Sequence, residues 1–204
     1  MVATRSQGAQ ALLDTAERLF SQDGIARVSD RRIAEEAGNA NNSAVRYHFG
    51  GREGLLRALL QRQLVDVDEM RSARHERSES LLDDVRSLVV PVTDQLAQQP
   101  VPSWRARFMD LAVHDPATAR LLLDMGDAAP AATRIVYSVR DRLTDLPVWV
   151  VRARAGLMVK IITSTCAEVE ARMELGTTDA TWPRVADFLC DAITGMLLAP
   201  VSTP

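Results

Sequence analysis

Few residues in this chain have a type and spacing that could carry catalysis. His48, His75 and His114 are scattered without metal-ligand spacing, and neither Cys166 nor Cys190 has a histidine near it in sequence. Glu168 and Glu170, two apart, do not share a helix face as a paired acid and base would. No GxGxxG or GxxxxGKS/T phosphate loop occurs. No metal and no cofactor is therefore expected, and an all-helical enzyme is the weaker reading. What remains is the chemistry of recognition. Between Gly38 and Arg52 lie Asn42, Ser43 and Arg46, polar side chains of the kind that hydrogen-bond base edges. Arginine can hold guanine through two bonds, and asparagine suits adenine.

The elements that must position these residues read as helices. From about Gln10 to Asp23, Leu12, Leu13, Ala16, Leu19 and Phe20 recur at helical spacing, and Gly24 supplies a stop. Ser29 is the next N-cap, with Val28 and Ile33 placed as a hydrophobic staple for a short helix ending near Ala37 and Gly38. Gly38-Asn39-Ala40 turns the chain, Asn41 can cap a third short helix through Phe49, and Gly50-Gly51 breaks it again. Two short helices across a tight turn containing glycine suggest helix-turn-helix. A longer helix from Arg52 to about Met70 reads as a connector, and the charged residues 71–80 as its solvated end and a loop. Further helices are expected over 81–98, kinked or divided by Pro91, then 103–113, 116–125, 129–143, 148–175 and 182–198.

Composition agrees with an all-α chain: 47% apolar residues suffice for a core, and 4% aromatic content with abundant Ala, Leu and Arg favours helices over strands. The formal charge of −3 hides an asymmetry. Residues 1–60 hold 8 arginines against 7 acids, and the remainder 16 basic residues against 20 acids, so the N-terminal part is better suited to an anionic partner. Residues 1–10 lack the apolar core of a signal peptide, and no stretch approaches the roughly 20 apolar residues of a membrane span. A soluble, cytoplasmic protein with reduced thiols and no membrane partner is expected.

Over about residues 10–60 the sequence resembles the DNA-binding domain of the TetR family of bacterial transcriptional regulators. The resemblance lies in four features, in order: the first-helix pattern ending in Leu19-Phe20 and Gly24; the Arg31-x-Ile33-Ala34-x-x-Ala37-Gly38 helix; Tyr47-His48-Phe49 closing the recognition helix; and Arg52-Glu53-x-Leu55-Leu56 opening the fourth. The turn after Gly38 is one residue longer than the common family pattern. The resemblance implies a three-helix helix-turn-helix domain over 1–51 and a connector plus effector-binding and dimerisation domain over 52–204. It implies a recognition helix in the major groove, with Asn42, Ser43, Ala44, Arg46 and Tyr47 toward the bases and Val45 and Phe49 packed inward. Arg31 joins Arg46 as a base reader by resemblance, and Tyr47, His48 and Arg52 are implied phosphate contacts.

Beyond residue 60 the resemblance is architectural. It implies a small-molecule effector cavity between about Leu81 and Ile162, with Trp104, Phe108, Met109, Leu122, Met125, Tyr137, Trp149 and Met158 as lining and Arg105, His114 and Arg134 as polar anchors. It also implies a homodimer through the last two helices, using Val151, Ala155, Met158, Ile162, Val169, Trp182, Val185, Leu189 and Ile193. The function expected is a repressor on a palindromic operator of double-stranded DNA, released by its effector. A DNA-binding regulator controlled by a protein partner is the alternative.

Overall fold

The computed structural model describes residues 7–39, 41 and 43–201, and every regular element among them is helical. In chain order these are α1 Gln7–Asp23, α2 Asp30–Glu36, α3 Ala44–Phe49, α4 Arg52–His75 and α5 Leu81–Ala97. Then come α6 Arg105–His114, α7 Pro116–Asp124, α8 Pro130–Asp141, α9 Val148–Glu174 and α10 Trp182–Leu198.

Local signals set the N-terminal helices. Gly24, at φ 89°, ends α1 while its amide donates to Phe20 O at 2.8 Å. Ser29 Oγ accepts from Arg32 N at 3.2 Å, capping α2 where the sequence places a cap. Val28 and Ile33 are both buried beside it, as a staple requires. Asn41 acts one step earlier than a cap: its Oδ1 accepts from Ser43 N at 2.9 Å, while Ser43 holds the cap position of α3. At the start of α4, a Cβ on Gly54 would stand 1.8 Å from Phe49 O, so only glycine lets α4 pass this close to the end of α3.

Two longer elements differ from expectation. α4 continues past Met70 to His75, because nothing in 71–75 breaks a helix, and Arg74 and His75 complement the negative end of its dipole. α5 runs unbroken through Pro91, starting from a capping box in which Ser80 Oγ accepts Asp83 N and Asp83 Oδ2 accepts Ser80 N.

The helices enclose two cores. The first joins Leu12, Leu19 and Phe20 of α1, Ile33 of α2 and Val45 of α3 to Leu55, Leu59 and Leu60 of α4. Phe108 of α6 closes it, stacked on Phe20 at 6.2 Å between ring centroids. The second joins Val85 and Val89 of α5, Ile135 of α8, Met158 of α9, and Leu189 and Ile193 of α10. Here the expected dimer residues need correction. Val151, Met158, Val185, Leu189 and Ile193 are buried within the chain itself, because α10 lies across α5 and α9 and uses its apolar stripe there. Ala155, Ile162, Val169 and Trp182 are half-buried.

Two buried carboxylates pin helix N-termini over long sequence separations. Asp68 accepts the amides of Ala131 and Ala132 at 2.9 Å each, seating α8 on α4. Glu170 accepts the amides of Ala106 at 3.1 Å and Arg107 at 3.0 Å, seating α6 on α9. Free amides at a helix start are natural partners for a carboxylate.

Candidate nucleic-acid interface and adjoining cavity

α3 is amphipathic over barely two turns. Ala44 and Val45 are buried against the first core, while Ser43, Arg46 and Tyr47 are exposed, Tyr47 by 81%. Ala44 thus packs inward with Val45 in the first core instead of joining the polar face. Among the described residues no acid pairs with Arg46, so its guanidinium is free to meet an anion or a base edge. Arg31 on α2 is also outward, 71% exposed in its side chain, and rests on Glu35 at 2.7 Å, an i,i+4 pair weak enough to exchange. His48 is half-buried, its ring edge-on to Tyr47 at 4.9 Å and close to Gly8 at the start of α1. Asn42 lies outside the described residues.

Arg52 takes a different place from the one implied for it. Its guanidinium pairs with Asp30 at 3.1 Å, donates to Ile25 O and lies 4.3 Å over the Phe20 ring. A cation held by an acid, a carbonyl and an aromatic face braces the domain, with its side chain 30% exposed.

α4 carries the domain onto a cavity of about 300 Å³ walled by α4, α5, α6, α7, α8 and α9. Of the residues expected there, Met109, Leu122 and Met158 line it, as does Arg105. The others do not. Phe108 is consumed by the first core, and Trp104 lies under the Arg107 guanidinium at 4.1 Å. Met125 and Tyr137 line a neighbouring groove with Leu64 and Val136, and Trp149 is 68% exposed. His114 Nδ1 lies 2.8 Å from Asp110 O, and Arg134 donates to Ser72 Oγ at 3.0 Å, both away from the cavity. Sequence reasoning missed Gln63, Arg71 and Gln95, which line the wall from α4 and α5. The signal was present: Leu56, Leu60, Gln63, Val67 and Arg71 follow one another at helical spacing, so two polar residues fall on an apolar stripe.

Glu17 of α1 connects the two regions. It is buried and accepts from Arg62 at 2.7 Å and from Gln63, so the residue that lines the cavity also holds the first helix. Burial raises its pKa above the ordinary carboxylate value, and Arg62 and then Arg105 act against that rise.

A short helix with an exposed polar face, set across a turn from a second and braced by a third, is a helix-turn-helix DNA-binding unit, here mounted on a larger helical domain. Residues 12–59 match the family of bacterial regulatory proteins described as the tetR family. The tetR-family match thus lies on the helix-turn-helix unit of this chain, α1 to the first half of α4. No curated protein matches it in sequence. In fold it is similar to a protein of Shewanella sp. PV-4 assigned to the TetR regulators, at 19% identity and TM-score 0.65, over 94% of this chain and 96% of that one. It is also similar to a TetR family regulator of Marinobacter aquaeolei VT8, at 14% identity and TM-score 0.63, over 93% and 94%. Mycobacterium smegmatis AmtR follows at 16% identity and TM-score 0.58, over 99% and 90%. At these identities the likeness carries the fold. Among the described residues no helix is long and apolar enough to cross a membrane.

Proposed function

We propose that the chain is a cytoplasmic repressor that binds a palindromic operator as a homodimer and leaves it when a small molecule fills the cavity. The observation that carries this reading is the double use of α4. Leu55 and Leu59 of α4 belong to the core of the DNA-binding unit, Arg62 and Gln63 hold Glu17 of α1, and Gln63, Val67 and Arg71 line the cavity. A ligand that reshapes the cavity wall therefore acts on the helix that aims α3. It favours release only if it binds the DNA-incompetent arrangement more tightly.

On DNA, Arg46, Arg31, Asn42 and Ser43 read base edges, while Tyr47 and His48 hold phosphates. One α3 reads few base pairs, so two-fold repetition supplies the specificity. The dimer surface is the outer face of the last two helices, where Leu157, Phe188 and Leu198 are exposed. Phe188, Ala192 and Gly195 form one exposed stripe on α10 at i, i+4 and i+7, with small residues that let a second helix come close.

The test is selection of bound sequences from random double-stranded DNA, followed by salt titration of the winner and sedimentation of the free protein. A palindrome, a steep salt slope and a dimer that Phe188→Asp converts to a folded monomer are expected. Folded protein that enriches no motif would end the operator reading. An operator-binding protein whose melting temperature no small molecule raises would instead support control by a protein partner.

A further inference from the structure

The cavity walls are mostly apolar, and two of their polar side chains, Gln95 and Arg71, hold donors without acceptors. Gln95 is 8% exposed and its Nε2 has no partner. Arg71 Nε is buried and also unpartnered, while its Nη2 reaches Leu88 O only at a long 3.4 Å. Asp68, one turn earlier, is not a free counter-ion, because both its oxygens accept amides from the start of α8. Burial pulls the Arg71 guanidinium down to about 10, with Asp68 opposing, so it remains a cation at neutral pH. No aspartate or glutamate lines the cavity. A buried donor left unmade is costly, and more so when charged.

We propose that the effector is a compact apolar monocarboxylate, its head paired with Arg71 and its tail lying against Leu88, Val92, Leu96, Met109, Leu122 and Met158. Gln95 offers a second donor on the same wall. This rests on the reading of the cavity as the effector site. A cationic ligand would meet Arg71 with no acid to receive it. Arg105, the other guanidinium of the lining, is drawn on by the buried Glu17, and a volume of about 300 Å³ lies at the small end of ligand pockets.

Calorimetric titration of the full chain with hexanoate, octanoate and decanoate, and with octanol and octylamine as matched controls, tests the class. Affinity should rise about fourfold per added methylene until the cavity is full. Octanoate should bind about ten- to a hundredfold more tightly than octanol, and octylamine least of all. Arg71→Met should remove the preference for octanoate and leave octanol binding within about threefold. Equal affinity of wild-type protein for octanoate and octanol, or a preference for the amine, overturns the proposal even if Arg71→Met does not fold. Octanoate binding that leaves operator affinity unchanged supports the carboxylate site and ends the release reading. Release by a neutral or cationic molecule, with no carboxylate bound, overturns the carboxylate site and leaves release standing.

Discussion

Arg62 Nη2 lies 2.7 Å from Glu17 Oε2, tying α4 to α1 one residue before Gln63 turns into the cavity wall. The pair is almost wholly shielded, each side chain 9% exposed, so it belongs to the few ion pairs here that solvent does not screen. It also holds α1 of the helix-turn-helix unit against α4.

Glu17 carries a pH signature. Because burial outweighs its cationic neighbours, its folded pKa stands above the unfolded value of 4.5. The stabilisation it contributes is then fully present below the unfolded value and is lost as pH rises through the folded one. Glu17→Gln does not titrate, so its melting temperature relative to wild type should climb as pH rises above the unfolded value of 4.5. A flat or falling difference would show that Arg62, not burial, governs the site.

Arg46 and Arg52 should separate sequence reading from domain bracing. Arg46→Ala is expected to lose about 1–3 kcal/mol on a matched operator and little on a scrambled one. Arg52→Ala should reduce binding to both alike because it loosens the domain. Losing charged hydrogen bonds worth about 1.5–3 kcal/mol corresponds to roughly 3–12 °C of melting temperature for a chain of this size. Binding isotherms on both DNAs and a thermal melt of each variant check the division.

Gly54→Ala sets two effects against each other. Alanine favours a helix over glycine by about 1 kcal/mol, yet the new methyl would meet the Phe49 carbonyl at 1.8 Å, a backbone atom that no rotamer change can clear. Overpacking of this kind costs about 1–3 kcal/mol or more. Net destabilisation, with weaker operator binding as α3 shifts, is the expected result of a denaturant titration and a binding assay.

The thiols should be silent. Burial pushes Cys166 up to about 12, with Glu170 adding to it, and pushes Cys190 up to about 11. At pH 8 the thiolate fractions are then on the order of 1 in 10,000 and 1 in 1,000. Mass spectrometry should find native protein unlabelled by iodoacetamide and unfolded protein labelled twice; rapid native labelling would mean that α9 or α10 opens.

The recognition unit was legible from sequence because its determinants are short-ranged. Gly24 ends a helix wherever it can take a positive φ, Ser29 caps the amide three residues on, and the spacing of Leu12, Leu19 and Phe20 commits one face inward. The same periodicity recovered all the long helices, since a stripe repeating every three to four residues shows in one dimension.

Sequence by itself could not determine what each stripe meets. The residues of α10 expected to bind a second copy face α5 instead, Phe108 went to the first core instead of the cavity, and Arg52 turned inward to Asp30 and Phe20. Periodicity says that a face must be buried, and residue type says what chemistry it offers. Only the packing of helices distant in sequence decides which surface covers it, and that packing set Arg71 and Gln95 on the cavity wall with donors unpaired.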